Sequence, residues 1–206
     1  MKRSRFVPRA LGLLASLFAL FAPLALVTPA QAQGPTAGPT AAPLPSKDIR
    51  WSLALGGAAD VGSLPRASPG AVLGFDVRRG ALGFHVAASG FLPQSTTGTP
   101  ATPAASVGLF DVLGTICALA PLGSRFDLGA CGGLGAGLLR ADSGAGSAAR
   151  PEGIAITRFD MVLVPGLLLT LDAGTVLDPL RTRVGDVHRS SLFAFRGSLG
   201  VLVRLW

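Results

Sequence analysis

Between residues 193 and 205, Phe193, Phe195, Leu199, Val201, Val203 and Leu205 hold odd positions, while Ala194, Arg196, Ser198, Gly200 and Arg204 hold even ones. Successive side chains of a strand point to opposite faces, so this spacing predicts a strand with one greasy face and one small or charged face. Residues 167–178 repeat it: Leu167, Leu169, Leu171, Ala173 and Leu177 oppose Thr170, Asp172, Gly174 and Asp178. In 126–138, Phe126, Leu128, Ala130, Leu134 and Leu138 face away from Asp127, Gly129, Cys131, Gly133 and Gly137. Extended along the chain, the period predicts eight strands, over 50–60, 70–78, 81–92, 108–120, 126–140, 154–164, 167–180 and 191–206.

The mid-strand charges decide what kind of β protein this is. Asp76, Asp111, Asp127, Arg158, Asp160, Asp172, Arg196 and Arg204 all fall on the face opposite the apolar one. A soluble sandwich also alternates, but its polar face meets water and carries Lys, Glu, Thr and Gln. Here that face is mostly Gly, Ala, Ser and isolated ions, and beyond residue 32 the chain holds one lysine, Lys47, and one glutamate, Glu152. Small residues with sparse, opposite charges suit a cramped interior, and an uncharged apolar exterior suits lipid. That inside-out pattern predicts a transmembrane barrel. A helical membrane protein needs unbroken runs of ~20 apolar residues, whereas the apolar stretches at 128–139 and 161–169 are dense in glycine or broken by Pro165.

The connections alternate in length: long at 60–69, 93–107, 141–153 and 181–190, short at 79–80, 121–125 and 165–166. Short turns on one side and longer loops on the other are the outer-membrane arrangement. Pro165-Gly166 fits the central positions of a type II turn. An even strand count returns both ends of the barrel to the turn side. Trp51 and Trp206 then share one rim with Phe84 and Phe126, and Phe110 and Phe193 lie near the other, as interfacial aromatics do.

The N-terminus reads MKRSR, then an apolar run over 11–27, then Thr28-Pro-Ala-Gln-Ala-Gln, the order of a secretory signal peptide ending at residue 32. The alternative, a membrane anchor, is opposed by a run of only 17 residues interrupted by Pro23. Residues 33–49 read as a disordered Pro/Ala-rich linker, and 50–206 as the barrel. Losing Lys2, Arg3, Arg5 and Arg9 lowers the formal charge from +7 to +3. The remaining arginines are scattered and not interleaved with aromatics, so nucleic acid is not expected as a partner.

Export bears on the only two cysteines, Cys117 and Cys131. Outside the cytosol two cysteines pair, and these form no C-x-x-C and lie at no ligand spacing from His85 or His188. Folding the fourth and fifth strands about Ser124 sets them directly opposite on the inward parity. Opposed residues of an antiparallel pair have Cα atoms ~4.5–5.5 Å apart, within disulfide reach. A structural staple inside the barrel is predicted.

Over 50–206, and with an aromatic final residue, Trp206, similar to the C-terminal signal read by the barrel-assembly machinery, the chain resembles the small eight-stranded outer-membrane barrels of the outer-membrane protein A type. The resemblance implies an all-β, antiparallel up-and-down barrel in the bacterial outer membrane. Its partners would be outer-membrane lipid and, during biogenesis, the assembly machinery, and no cofactor is implied.

Eight strands enclose a space that side chains fill. The inward Asp76, Asp111, Asp127, Asp160 and Asp172 are expected to pair with Arg158, Arg196 and Arg204, with His85 as a network partner; a small or gated channel is the alternative. Some barrels of this kind are lipid acyltransferases or deacylases using a histidine, a serine and a carboxylate. His85 and Ser89 with nearby acids would be the candidates, but no G-x-S-x-G occurs. The glycines of 132–137 lack the Lys-Ser/Thr of a phosphate loop and sit within strand alternation. Loops 93–107 and 141–153, polar and of low complexity, are where a surface ligand would bind. A soluble periplasmic barrel holding an apolar ligand is the remaining alternative.

Overall fold

The computed structural model describes residues 48–97, 104–142, 144 and 146–205. The segment read as a signal peptide, the linker up to residue 47, and Trp206 lie outside the described residues. Eight antiparallel strands close on themselves: β1 Ile49–Val61, β2 Ser68–Arg79, β3 Leu82–Ser95, β4 Ser106–Pro121, β5 Phe126–Ala141, β6 Gly146–Val164, β7 Leu167–Leu177 and β10 Phe193–Arg204. Each pairs with its neighbour in the barrel order, and β10 returns to pair with β1. A small hairpin, β8 Arg183–Val184 with β9 His188–Arg189, stands in the last loop.

The register fixes the barrel's shape. From Arg50 the directly opposed residues run through Arg78, Gly83, Cys117, Cys131, Ile156, Gly174 and Arg196, and the row returns to β1 at Asp60, ten residues beyond its start. With eight strands about 4.8 Å apart and a rise of about 3.3 Å per residue, that stagger tilts the strands by about 40°. Each residue then climbs about 2.5 Å along the barrel axis.

Burial alternates with the predicted parity. Leu134, Phe195 and Ile116 point outward at 76%, 68% and 64% exposure, whereas Asp111 and Arg158 point inward at 0% and 1%. Apolar side chains share the inner face with the ions, among them Leu113, Leu119, Val176 and Leu202. The inner face of β5 is nearly bare, with Gly129, Cys131, Gly133, Gly135 and Gly137 in alternation. A Cβ at Gly135 would stand 2.4 Å from both Leu113 Cδ2 and Val112 O, and one at Gly137 would stand 2.5 Å from Glu152 Oε1. Those glycines make room for the large side chains of the facing strands.

Several boundaries differ from those read in the sequence. The 141–153 segment is not a long loop. β5 runs to Ala141 and β6 starts at Gly146, so residues 142–145 are the whole connection and the long–short alternation fails there. Small residues and Pro151 mask the strand, but its parity persists: Arg150, Glu152 and Ile154 share the inward face with Arg158 and Asp160. Ile49, assigned to the linker, opens β1. β7 stops at Leu177 because the Asp178 carboxylate takes hydrogen bonds from the Leu180 and Thr182 amides and turns the chain. Arg140 shares the outward parity of β5, yet it lies two residues past Leu138, about 5 Å beyond the last apolar position. At the turn end, Gly166 has φ 87°, as the second central residue of a type II turn requires.

Candidate functional site

Inward-facing charges form three layers along the barrel axis. The lowest sits at the mouth on the short-turn side. There Arg50 and Arg78 are direct register partners on β1 and β2, and Arg204 pairs with Ser52 on the other flank of β1. Arg78 reaches across the lumen to β5, its Nη1 2.6 Å from Asp127 Oδ2, while its Nε donates to Gly80 O at 2.9 Å. The expected pairing of Arg204 with the deeper aspartates does not form. Arg204 lies instead within electrostatic range of Arg50, Arg78 and Asp127, because the last residues of β10 reach only the mouth.

The second layer centres on Asp76. His85 Nδ1 lies 2.8 Å from Asp76 Oδ2, and Arg158 Nη1 reaches the same oxygen at 2.5 Å. Arg158 also holds Asp172, with Nε 2.9 Å from Oδ1 and Nη2 3.3 Å from Oδ2, and Ser198 Oγ donates to Oδ2 at 3.4 Å. Asp160 is buried and opposes Thr170 across β6 and β7. Cys117 and Cys131, joined by a disulfide and directly opposed on β4 and β5, pack beside Leu119 and Ile156.

The third layer contains three residues that sequence reasoning missed: Arg150 and Glu152, at positions assigned to the 141–153 loop, and Asp60, where the first predicted strand meets its loop. Arg196 gathers the acids, with contacts of 3.1 Å to Asp60, 2.7 Å to Asp111 and 3.6 Å to Glu152, and its guanidinium carbon stands 4.8 Å from the Phe91 ring centre. Arg150 Nε lies 2.6 Å from Glu152 Oε1, and its Nη2 donates to Ser63 Oγ at 3.0 Å. The continued even-numbered parity upstream of Arg158 was the available signal for Arg150 and Glu152.

Above this layer the last loop folds over the barrel. Val184 of β8 packs with Leu64, Phe91, Val107 and Leu139, and His188 Nε2 donates to Ser63 O at 2.8 Å. Asp178 anchors the loop, accepting from the Thr182 and Leu180 amides and from the Ser190 hydroxyl. Burial pushes the Asp178 carboxyl up, but the bonds from Ser190 and Thr182 outweigh it and hold the group below its ordinary value.

Between the second and third layers a cavity of about 40 Å³ remains, bordered by His85, Thr115, Leu113, Ile156, Asp172 and Arg196. It has room for one or two waters. The Asp76–His85 pair orients an imidazole as an acid–base dyad would. Ser89, however, is four residues along β3 from His85, about 13 Å away, too far for nucleophile and base to meet. On the outside, Trp51 is 5.5 Å from Phe75, Phe126 is 5.6 Å from Phe159, and Phe84, Phe110 and Phe193 are exposed.

Solved structures share this architecture. Neisserial surface protein A matches with a TM-score of 0.55 at 12% identity, over 75% of this chain and 96% of that one. A major outer membrane protein from Thermus thermophilus matches with a TM-score of 0.56 at 12% identity, over 76% of this chain and 99% of that one. No family model and no curated protein matches the sequence. The likeness is one of fold, and the fold is the small eight-stranded barrel of the outer-membrane type.

Proposed function

We propose that this chain is an exported, integral outer-membrane β-barrel whose lumen is filled by side chains and whose role is structural or in surface interaction rather than catalysis. One observation carries the reading: large apolar side chains cover the outside of a closed barrel while paired ions stand within it. Leu134, Ile116, Leu171 and Leu199 are left exposed on the barrel wall, and hydrocarbon is the medium in which such a surface is stable. Outward Trp51 and Phe126 lie about 25 Å along the axis from Phe110 and Phe193, the height of a barrel's apolar band.

The lumen supports no flow in this reading. Arg158 and Arg196 bridge strands across it, and a cavity of about 40 Å³ is too small for an apolar ligand of ordinary size. A soluble ligand-binding barrel would also bury the apolar set that is exposed here. Surface contacts fall to loop 93–107 and the loop carrying β8 and β9, since only four residues separate β5 from β6. A lipid-modifying enzyme is the second reading, favoured only by the Asp76–His85 contact.

Membrane fractionation tests the location: the folded protein stays with outer membranes through carbonate and salt and leaves only in detergent. It migrates faster unboiled than boiled. Release by salt alone would overturn the reading. Silent planar bilayers are expected, and steady conductance would contradict the filled lumen.

A further inference from the structure

We propose that the β8–β9 hairpin is a docking surface for an acidic polysaccharide, a sugar chain bearing sulfate or carboxylate groups, held by Arg181, Arg183 and Arg189. The proposal rests on the surface-interaction reading above and names the class of partner. Like charges placed directly opposite in a sheet are destabilising. The hairpin nevertheless opposes Arg183 to Arg189 in a ladder of only two residue pairs. Arg189 Nε donates to Arg181 O at 3.4 Å, a bond to a carbonyl that neutralises neither arginine. Among the described residues, the one acid paired with any of the three is Asp186, 3.8 Å from Arg183, with side chains 65% and 91% exposed. An ion pair so long and so exposed contributes little. Inside the barrel, by contrast, Arg78, Arg150, Arg158 and Arg196 each hold a carboxylate at 2.7 Å or less.

The hairpin is also held in place. Val184 and Val187 pack on Leu64 and Phe91, and His188 Nε2 donates to Ser63 O at 2.8 Å. Val184 is buried against the barrel, so its strand neighbour Arg183 points away from it, and Arg181 and Arg189 are exposed as well. Arg181 has φ 49° and is the only non-glycine residue in the left-handed region among the described residues. Glycine takes that conformation at less cost, and such outliers gather at binding sites. Beyond the hairpin, the exposed charges of the loop end are Arg66, Arg140 and Asp142 among the described residues, so this surface is cationic as a whole. Guanidinium forks take oxyanions bidentately, and a chain of repeated anionic groups can engage several at once. A hairpin already fixed spares the cost of ordering it on binding. The arginines stand on the lid over the lumen rather than on the apolar wall, which favours a soluble chain over a lipid headgroup.

The test is calorimetric titration of the full-length folded protein in maltoside micelles with a dextran sulfate oligosaccharide, against neutral dextran of the same length. Saturable binding of the sulfated chain alone is expected, weakening as salt is added. Arg183→Gln and Arg189→Gln should each weaken it several-fold and together about tenfold or more, while Arg125→Gln, on a short turn at the other end, leaves it unchanged. Unboiled migration verifies that each variant is closed. Arg181→Gly relieves the left-handed strain, so it should weaken binding without lowering the unfolding midpoint, a separation that a purely structural arginine would not give. Phosphatidylglycerol added to the micelles should leave binding unchanged, and displacement by it would assign the arginines to lipid and overturn the proposal. No saturable binding, equal binding of neutral dextran, or equal weakening by Arg125→Gln would also overturn it. Binding in micelles is independent of where the barrel resides, so a negative result here leaves the location to fractionation.

Discussion

Arg158 Nε lies 2.9 Å from Asp172 Oδ1 across β6 and β7, and its guanidinium is 1% exposed in the centre of the barrel. The same side chain reaches Asp76, so one arginine compensates one buried and one half-buried carboxylate. Arg158→Met should therefore lower unfolding free energy by about 3–5 kcal/mol, the cost of stranding a buried charge. Urea unfolding in micelles measures it. Adding Asp172→Asn should recover part of the loss, a coupling that independent sites would lack.

Gly135→Ala should be a strongly damaging one-methyl change in β5. Its Cβ would meet a backbone oxygen, Val112 O, at 2.4 Å as well as Leu113, so side-chain motion alone cannot relieve it. A loss of about 1–3 kcal/mol is expected. Gly132→Ala, outward with its nearest neighbour at 4.0 Å, should change stability by less than about 1 kcal/mol. Parallel urea titrations compare the two.

The disulfide links residues 14 apart. A loop of that length stabilises by up to about 3 kcal/mol in the chain-entropy model. Replacing both cysteines by serine should remove no more than this and leave the barrel closed, because β4 and β5 remain paired from Val107 to Pro121. Faster migration of the unboiled variant is the readout, and failure to close would mean that the staple is required for closure.

Acid should loosen the last loop before the barrel. The Asp178 carboxyl is held below its ordinary value, about 3.9, so its contribution is fully present above that pH. It is lost as the pH falls through the lower, folded value. The Leu180 and Thr182 amide resonances, whose donors face this carboxylate, should shift in that acidic window. In Asp178→Asn the acid-dependent step should vanish.

Much of this was legible because period 2 acts on every residue of a strand. The inward parity of Asp76, Asp111, Arg158 and Arg196 followed from it, as did the opposition of Cys117 to Cys131. What was hidden lay where small residues and proline resemble loop sequence. Residues 146–153 are strand because β5 pairs with them all the way to Gly146, a tertiary effect that local composition does not carry. Arg150 and Glu152 were lost with that segment, and Asp60 with the end of β1. The crowding of arginines at the mouth was also invisible, since residues 50, 78 and 204 meet only once the register closes the ring.

The inside-out arrangement is tested most directly by paramagnetic relaxation of methyl groups in lipid nanodiscs containing a chain-labelled nitroxide lipid. Ile116, Leu134, Leu171 and Leu199, all exposed on the barrel's outside, should broaden strongly. Leu113, Val176 and Leu202, all buried within it, should stay sharp. Equal broadening of both sets, or broadening of the inner set alone, would contradict the account.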